Sequence, residues 1–407
     1  MCRAERAVAV VATGALSTRP EPAPGNAGEG RSMLRFRSVY SALGLAAALL
    51  IGATSCGDDY ASTTGPVNSG GPVVTEELAA IEAPATTTAP TGPVTLITHD
   101  SFWVSEGTLS AFTEATGIQI VLQTAGDTGQ MVSSAILTVG DPLGDVMFGV
   151  DNTFLQRALD ADLFEAYESS ALSGVPDELQ LDASHRVTPV DFGDVCVNYW
   201  IDWFGDDLAA PTSLDDLTDP AYADLMVVQN PETSSPGLAF LLATIAEYGD
   251  GWEDYWAALR DNGVVVTASW EDAYYGEFVS GGGDRPIVVS YASSPTAEVI
   301  YADPPIDTPP TGVVTETCFR QIEFAGILAG TDHRAAAELL VDFLLSPTFQ
   351  EEIPLNMFVF PALATAELPT TFVDFVELAD DPHEMDPAAI EAHRNDWSER
   401  WTEIVLR

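Results

Sequence analysis

The sequence contains no lysine. Its 15 basic residues are all arginines, against 62 aspartates and glutamates and only 5 histidines, which gives a formal net charge of −47. A surface this acidic repels nucleic acid and anionic lipid headgroups, so we predict no nucleic-acid partner. The lack of lysine also removes Schiff-base chemistry, and so few histidines leave little scope for general-base catalysis.

Cysteine is scarce too, with four residues in 407. Cys2 lies in residues 1–32, which we interpret as an upstream extension, and Cys56 ends a signal segment. Cys196 and Cys318 are left as an even pair in an oxidising compartment, which predicts a disulfide between them. No second ligand lies at metal spacing from either cysteine, so we predict neither a metal site nor a cofactor.

The N-terminal region resembles a secretory leader rather than part of a fold. Residues 33–56 read "MLRFRSVYSALGLAAALLIGATSC", with Arg35 and Arg37 before an apolar run that is short for a spanning helix. We predict a lipoprotein signal peptide over 33–55 and lipidation of Cys56, which would anchor the chain to the outer face of the cell membrane. Ala53 stands where a larger aliphatic residue is usual, so an uncleaved anchor or plain secretion stay open.

The remaining chain divides into a tether and a two-lobed α/β unit. Residues 56–93 are rich in Thr, Pro, Gly and Ala without a hydrophobic period, as in a flexible tether. From "VTLIT" onward, short apolar runs alternate with helical patterns in two sets, which favours parallel sheets flanked by helices. The long β-like runs "RVTPVDFGDVCVNYW" and "TCFRQIEFAGILAG" join the sets as a two-stranded hinge. The predicted boundaries are lobe 1 over 94–190 and 320–407, and lobe 2 over 191–319.

Open parallel sheets bind ligands at the carboxyl ends of their strands. Here those ends are small, polar or aromatic: "THDSFW", "AGDTG", "GVDNT", "NPETSSPG", "ASWEDAYY" and "SYASSP". This recurrence predicts a small-molecule site between two lobes. In "NPETSSPG" we predict Ser235 as the N-cap of a helix, with Pro236 in its first position and free N–H groups that suit an anion.

Taken in order, these segments resemble the thiamine-binding proteins of ABC importers. The resemblance rests on "THDSF", "GDVMFGVDN", "VDFGDVCVNY", "NPETSSPGLAFLLA", "SWEDAYYGEF", "SYASSP" and "LLSPTFQEEIPLNMFVFP", from about residue 94 to the C-terminus. It implies the class II periplasmic-binding-protein fold and a monomer that closes its lobes on thiamine or a thiamine phosphate. It also implies delivery of the ligand to a membrane permease.

The resemblance also assigns roles to individual positions. Thr233 and Ser234 match the phosphate-side loop, Asp127 an acidic position, and Trp270 and Tyr291 the aromatic positions around the rings. The sequence departs from the family at His99, where an aromatic is common, and at Phe358, where a Trp occurs in the enterobacterial type; Trp103 could substitute for a missing Trp. The predicted ligand set is His99, Asp100, Trp103, Asp127, Thr128, Asp151, Thr233, Ser234, Ser235, Trp270, Tyr274, Tyr291 and Phe358.

Three alternatives stay open on the sequence. Ferric-ion binders of the same fold use adjacent tyrosines, and "DAYYGEF" offers Tyr274 and Tyr275, although neighbours on a helix point about 100° apart. A polyamine binder would need more clustered carboxylates. A secreted α/β enzyme would need a reactive motif, and we find no G-x-S-x-G elbow, Walker loop, G-x-G-x-x-G or H-E-x-x-H. We therefore predict a binding protein and no enzyme.

Overall fold

The computed structural model describes residues 92–407. The predictions for the extension, the signal peptide, the Cys56 lipidation site and nearly all of the tether fall outside this range. Within 92–407, no helix is both long and apolar enough to cross a bilayer.

Within residues 92–407, ten strands form one mixed sheet, and eleven α-helices pack around it. The strands are β1 Val94–Thr98, β2 Ile120–Thr124, β3 Val146–Asp151, β4 Phe164–Glu165, β5 Thr188–Trp200, β6 Met226–Gln229, β7 Val265–Thr267, β8 Ile287–Tyr291, β9 Thr311–Leu328 and β10 Phe360–Pro361. The helices are α1 Glu106–Thr116, α2 Thr128–Ile136, α3 Leu155–Asp160, α4 Ser235–Tyr248, α5 Trp252–Asp261, α6 Ser294–Ile300, α7 Arg334–Leu344, α8 Pro347–Gln350, α9 Ile353–Asn356, α10 Thr370–Val373 and α11 Pro387–Val405.

The strand order β2-β1-β3-β9-β5-β8-β6-β7 separates two parallel groups. We call the group β1–β3 with its helices lobe 1, and the group β6–β8 with its helices lobe 2. In each group the strands are parallel to one another, because helices carry the chain back between them. The side chains from Leu238 to Thr244 in α4 are buried all round, which fits the unbroken apolar run in the sequence.

The long strands β5 and β9 lie between the two groups and pair with each other in antiparallel orientation. β9 pairs with β3 of lobe 1, and β5 pairs with β8 of lobe 2. This is the predicted two-stranded hinge, although β9 begins six residues before the predicted run. The predicted disulfide is confirmed: Cys196 on β5 and Cys318 on β9 are bonded, with Cα atoms 4.1 Å apart. The bond closes a loop of 122 residues and joins the two hinge strands directly.

The C-terminal helix α11 contacts both lobes. Trp401 is fully buried and packs edge-on against Trp256 of α5, with ring centroids 5.5 Å apart. On the other side, the Arg394 guanidinium lies over the Phe154 ring beside α3, 3.9 Å from its centroid. Trp401 therefore belongs to the packing between α11 and α5.

Two predicted helices differ in the structure. The pattern over 332–354 predicts one helix but forms three short ones, α7, α8 and α9, because Pro347 and Pro354 cannot donate to the preceding turn. The pattern over 269–282 predicts an α-helix, whereas the chain forms a π-helix at Asp272–Glu277 and a 3₁₀ turn after it. The wider turn separates the adjacent tyrosines: Tyr274 is buried and Tyr275 is exposed.

Candidate functional site

The strand ends that the sequence singled out converge between the lobes. Asp127 is the N-cap of α2, and its Oδ1 accepts a hydrogen bond of 2.7 Å from the Thr128 N–H. Its Oδ2 accepts one of 3.0 Å from the backbone N–H of Trp270, which lies 143 residues away in lobe 2. Burial raises the pKa of Asp127 despite these hydrogen bonds. A single carboxylate of lobe 1 thus joins the two lobes through the backbone of Trp270.

Lobe 2 contributes an aromatic group around Trp270. Its indole stacks on Tyr274 with centroids 5.0 Å apart and meets Tyr275 and Tyr291 edge-on at 5.5 and 6.4 Å. The indole N–H donates to the Ser290 hydroxyl at 3.0 Å, which fixes the ring. Aromatic faces held in this way attract a flat cation through their quadrupoles.

His99 follows β1 and lies within a ring of acids. Its Nε2 is 3.6 Å from Glu323 Oε1, and the ring packs so close to Gly149 that any Cβ there would overlap it. Burial alone would lower the pKa of His99, but the carboxylates of Glu323, Asp127 and Asp100 outweigh it and raise that pKa. The neighbouring acids therefore favour the charged form of His99, and burial opposes it.

Asp151, at the end of β3, is fully buried and accepts five hydrogen bonds. Its Oδ1 accepts from the Thr153 N–H and hydroxyl and from the Phe154 N–H. Its Oδ2 accepts from the Ser235 hydroxyl of lobe 2 and from the Gln321 amide at 2.9 Å. Burial raises the pKa of Asp151 to about 6. Two residues of the predicted ligand set, Asp151 and Ser235, are thus bonded to each other across the lobes.

The loop before α4 lies against lobe 1. The predicted N-cap is wrong by one residue, since Ser234 is the cap and Ser235 is the first helical residue. Ser234 makes no capping bond; its buried hydroxyl is near enough to Asp127 to lower that pKa, yet it meets no partner with hydrogen-bond geometry among the described residues. The Thr233 hydroxyl donates to the Ala268 carbonyl. A Cβ on Gly129 of α2 would lie 2.8 Å from the carbonyl oxygens of this loop, so the lobes touch here.

Of the remaining predicted residues, the side chains of Asp100 and Thr128 are hydrogen-bonded at this centre, and within residues 92–407 those of Trp103 and Phe358 are not. Asp100 accepts from the Gly126 N–H at 3.1 Å, and the buried Thr128 hydroxyl donates to the Gly149 carbonyl. Trp103 is 48% exposed in the turn before α1. Phe358, with φ +56°, meets Tyr301 edge-on at 5.5 Å.

Three acids that the sequence did not nominate also face this region. Asp191 on β5 and Glu323 on β9 are buried and directly opposite each other in the sheet. Glu271 precedes the π-helix, and burial together with Asp100 and Asp127 raises its pKa. The signal for the first two was an acid inside an apolar strand, in "TPVDFGDV" and "RQIEFAG". A charge placed there by chance would be costly, so its position itself points to a role.

Other candidate sites are weaker. Among residues 92–407, no group of three or more His, Cys, Asp or Glu side chains could hold a metal ion. A polar depression of about 330 Å³, lined by Glu168, Asp177, His185 and neighbouring residues, contains none of the predicted ligand residues.

Comparison with known proteins agrees with this architecture. The chain is 28% identical to the thiamine-binding periplasmic proteins of Salmonella typhimurium and Escherichia coli over 322 residues, which covers 77% of this chain and 94% of each relative. The thiamine-binding periplasmic protein of Brucella suis is 30% identical over 198 residues, 48% of this chain and 58% of that one.

Solved structures give the same fold. A periplasmic thiamin binding protein superposes with a TM-score of 0.68 at 26% identity, covering 77% of this chain and 96% of that one. A ferric binding protein from Campylobacter jejuni superposes at 0.64 with 15% identity, covering 76% and 99%. The predicted two-lobed periplasmic-binding-protein fold is therefore confirmed.

The family described as bacterial extracellular solute-binding protein matches residues 141–372, more than half of the chain. That span includes both hinge strands and most of the aromatic and acidic groups that meet between the lobes. This chain is a member of the bacterial extracellular solute-binding protein family.

Proposed function

We propose that this protein captures thiamine or a thiamine phosphate between its lobes and delivers it to the permease of an ABC importer. The observation that carries the proposal is a hydrogen bond between the lobes. The backbone N–H of Trp270 in lobe 2 donates to the Asp127 carboxylate of lobe 1. It brings an aromatic wall and an acidic wall together, and a flat cation needs both. The similarity to the thiamine-binding periplasmic proteins of Salmonella typhimurium and Escherichia coli supports the same ligand.

The ring system of thiamine matches the chemistry of the central group. Its thiazolium is permanently cationic and suits the faces of Trp270 and Tyr291, while a carboxylate such as Asp127 can accept from the amino group of the pyrimidine. His99, Asp100, Trp103, Tyr274 and Phe358 would complete the wall around the rings.

The phosphate or hydroxyethyl end belongs at the loop before α4. Thr128, Thr233 and Ser234 and the first N–H groups of α4 would hold it, since the N-terminus of a helix favours an anion. The Ser235 hydroxyl is engaged by Asp151, so that residue would contribute its backbone N–H. With no lysine in the chain, we expect only modest discrimination between thiamine and its phosphates.

Delivery requires the protein to stay near its permease. Lipidation at Cys56 and the tether over 56–93 would hold the lobes at the outer face of the membrane while leaving them free to turn. Mass spectrometry of the N-terminal peptide tests the lipid, and Cys56→Ser should release the protein from the membrane fraction.

The ferric-ion alternative has less support. The Tyr274 hydroxyl donates to Glu298 Oε1 at 2.6 Å, whereas Tyr275 is 60% exposed, so the two phenols do not present a joint pair of ligands. The ferric binding relatives share 15–19% identity and support the fold alone.

Titration calorimetry with thiamine, its mono- and diphosphate, ferric citrate and spermidine tests the proposal. We expect binding of the thiamine forms, and Trp270→Ala should weaken it at least about tenfold, the loss of about 1.4 kcal/mol. Trp203→Ala, at an exposed tryptophan of a 3₁₀ turn after β5, is the matched control and should bind as the wild type does. Absence of binding by every thiamine form would refute the proposal, and turnover of the ligand, seen by mass spectrometry, would favour an enzyme.

A further inference from the structure

Three acids lie in a row across the sheet at the hinge. Glu323 on β9 is directly opposite Asp151 on β3 on one side and directly opposite Asp191 on β5 on the other. Directly opposed residues share a face of the sheet, and like charges in such positions repel one another. A row of this kind persists only if each carboxyl has a partner, a proton or a ligand.

The partners are unevenly distributed along the row. Asp151 accepts five hydrogen bonds, and Glu323 has His99 beside it. Asp191 is fully buried, and neither of its carboxylate oxygens has a hydrogen-bond partner among residues 92–407. Burial, reinforced by the charge of Glu323, raises the pKa of Asp191 well above its usual range.

The unpartnered carboxyl lies on the side of the aromatic group around Trp270. Gly193, two residues along β5 and thus on the same face, is so close to Tyr291 that a Cβ would stand 3.3 Å from the ring. Burial and the carboxylates of Glu323, Asp127, Asp151 and Asp191 together raise the pKa of Tyr291, so all four acids surround this phenol.

We propose that Asp191 and Glu323 share one proton when the cleft is empty and release it to solvent when a cationic ligand binds beside them. The pair then carries two negative charges against the positive charge of the ligand, and a neutral molecule of the same shape displaces no proton. This deepens the proposed function, on which it rests for the identity of the cation, and makes the hinge pair a determinant of selectivity for charge.

Four other titratable groups among the described residues face the Asp191–Glu323 pair, one from each neighbouring element of the structure. They are Asp151 on β3, His99 after β1, Asp127 at the start of α2 and Tyr291 at the end of β8. Of these, His99 and Asp151 are the other sources of a proton, because a cation would repel charged His99 and would favour the ionised form of Asp151. All three sources weaken binding as the pH falls, so single variants are needed to separate them.

Calorimetry in two buffers of different ionisation enthalpy counts the protons released on binding. The probes are thiamine and its uncharged thiophene isostere, in which a carbon replaces the ring nitrogen. The wild type should release up to about one proton with thiamine and none with the isostere. Asp191→Asn and Glu323→Gln should each abolish the release and narrow the preference for thiamine over the isostere at least about tenfold. The control is Asp145→Asn, at a buried aspartate of lobe 1 that accepts a hydrogen bond from the Thr95 N–H. It should leave the proton release and the preference for thiamine unchanged.

Carbon-13 NMR of the carboxyl groups in the empty protein tests the proton itself. One carboxyl of the Asp191–Glu323 pair should remain protonated near neutral pH; ionisation of both in the acid range would overturn the inference. Thiamine binding without proton release, or release that survives Asp191→Asn and disappears in His99→Gln, would also overturn it while leaving the proposed function intact. A complete lack of thiamine binding would refute the proposed function and the ligand half of the inference, and the NMR titration would still decide the shared proton.

Discussion

Asp151 and Asp191 flank the same residue of the same strand, one on each side of Glu323, and both are completely buried. Asp151 accepts five hydrogen bonds, two of them from Ser235 and Gln321, and links lobe 1 to the start of α4. Asp191 accepts none from the described residues. Equal burial has therefore produced one carboxylate saturated by donors and one without a donor among residues 92–407.

The difference separates the two parts of the interlobe region. Where Asp151 lies, donors from both lobes satisfy its carboxylate, and the Oε1 of the neighbouring Gln321 is left without a partner among the described residues. Where Asp191 lies, the protein supplies charge and aromatic surface but leaves polar atoms unmatched. A buried carboxylate without donors is costly, and native structures keep such groups where a ligand or proton completes them.

The largest expected effect on stability is at Asp151, the carboxylate with five hydrogen bonds. Asp151→Ala removes the acceptor from the Thr153 and Phe154 N–H groups, the Gln321 amide and the Ser235 hydroxyl, all of them buried. We expect a loss of at least about 3 kcal/mol in the free energy of unfolding, measured by urea denaturation. Asp160→Ala, at an exposed aspartate that accepts one bond from Gln156, should cost under about 0.5 kcal/mol. Equal losses in the two variants would contradict the contrast.

The pH dependence of stability should carry the signature of Asp151. The pKa of Asp151 in the folded protein is about 6 and exceeds the ordinary value of 3.8. The stabilisation of the fold by the protonated carboxyl is therefore complete below about pH 4 and is lost as the pH rises through 6. Between these limits the wild type should lose up to about 3 kcal/mol relative to Asp151→Asn. Thermal unfolding at each pH gives this difference, and a constant offset between the two proteins would mean that Asp151 does not titrate in this window.

The contact between the lobes can be loosened at Gly129. A methyl group there would stand 2.8 Å from the carbonyl oxygens of Glu232 and Thr233, so Gly129→Ala should force the loop away and cost about 1–3 kcal/mol. Gly107→Ala is the matched control at the second residue of α1, where a Cβ meets nothing closer than 3.6 Å and should stabilise the helix. Calorimetric melting measures both, and X-ray scattering reports any opening; an unchanged Gly129→Ala would contradict the close contact.

The smallest expected effect is at the unpartnered carboxyl. Asp191→Asn replaces an acid whose ionisation is opposed by burial and by Glu323. At pH 5 we expect the free energy of unfolding to change by about 1 kcal/mol or less, and at pH 8 the variant should be the more stable protein. Urea denaturation at pH 5 and pH 8 is the measurement. A large loss of stability at both values would mean that Asp191 has a partner other than Glu323 in the folded protein.

Much of the fold was predictable because its signals are local. β1, β8 and α4 follow from short apolar runs and their turn residues, and the acidic and aromatic strand ends follow from the rule that open sheets bind ligands there. The one-residue error at Ser235 is also local, since Ser234 and Ser235 are equally good caps in a sequence. The choice between them is made by Asp151, 84 residues away, which takes the Ser235 hydroxyl.

Asp191 and Glu323 show what local signals miss. Each is an acid in an apolar run, and nothing in either run reveals that the two are opposite each other across the hinge. The same holds for Asp127, whose second oxygen is occupied by a backbone N–H that no motif could nominate.

The sequence by itself determined the composition of the two walls, most of the helices and strands, and the two cysteines available for a bond, because these depend on residue type and on neighbours within a few positions. Only the tertiary structure decided which carboxylates are satisfied and which are not. That outcome depends on contacts between residues more than 80 positions apart in the chain, and on strand register. A register shift of one residue would move every side chain of a strand to the other face.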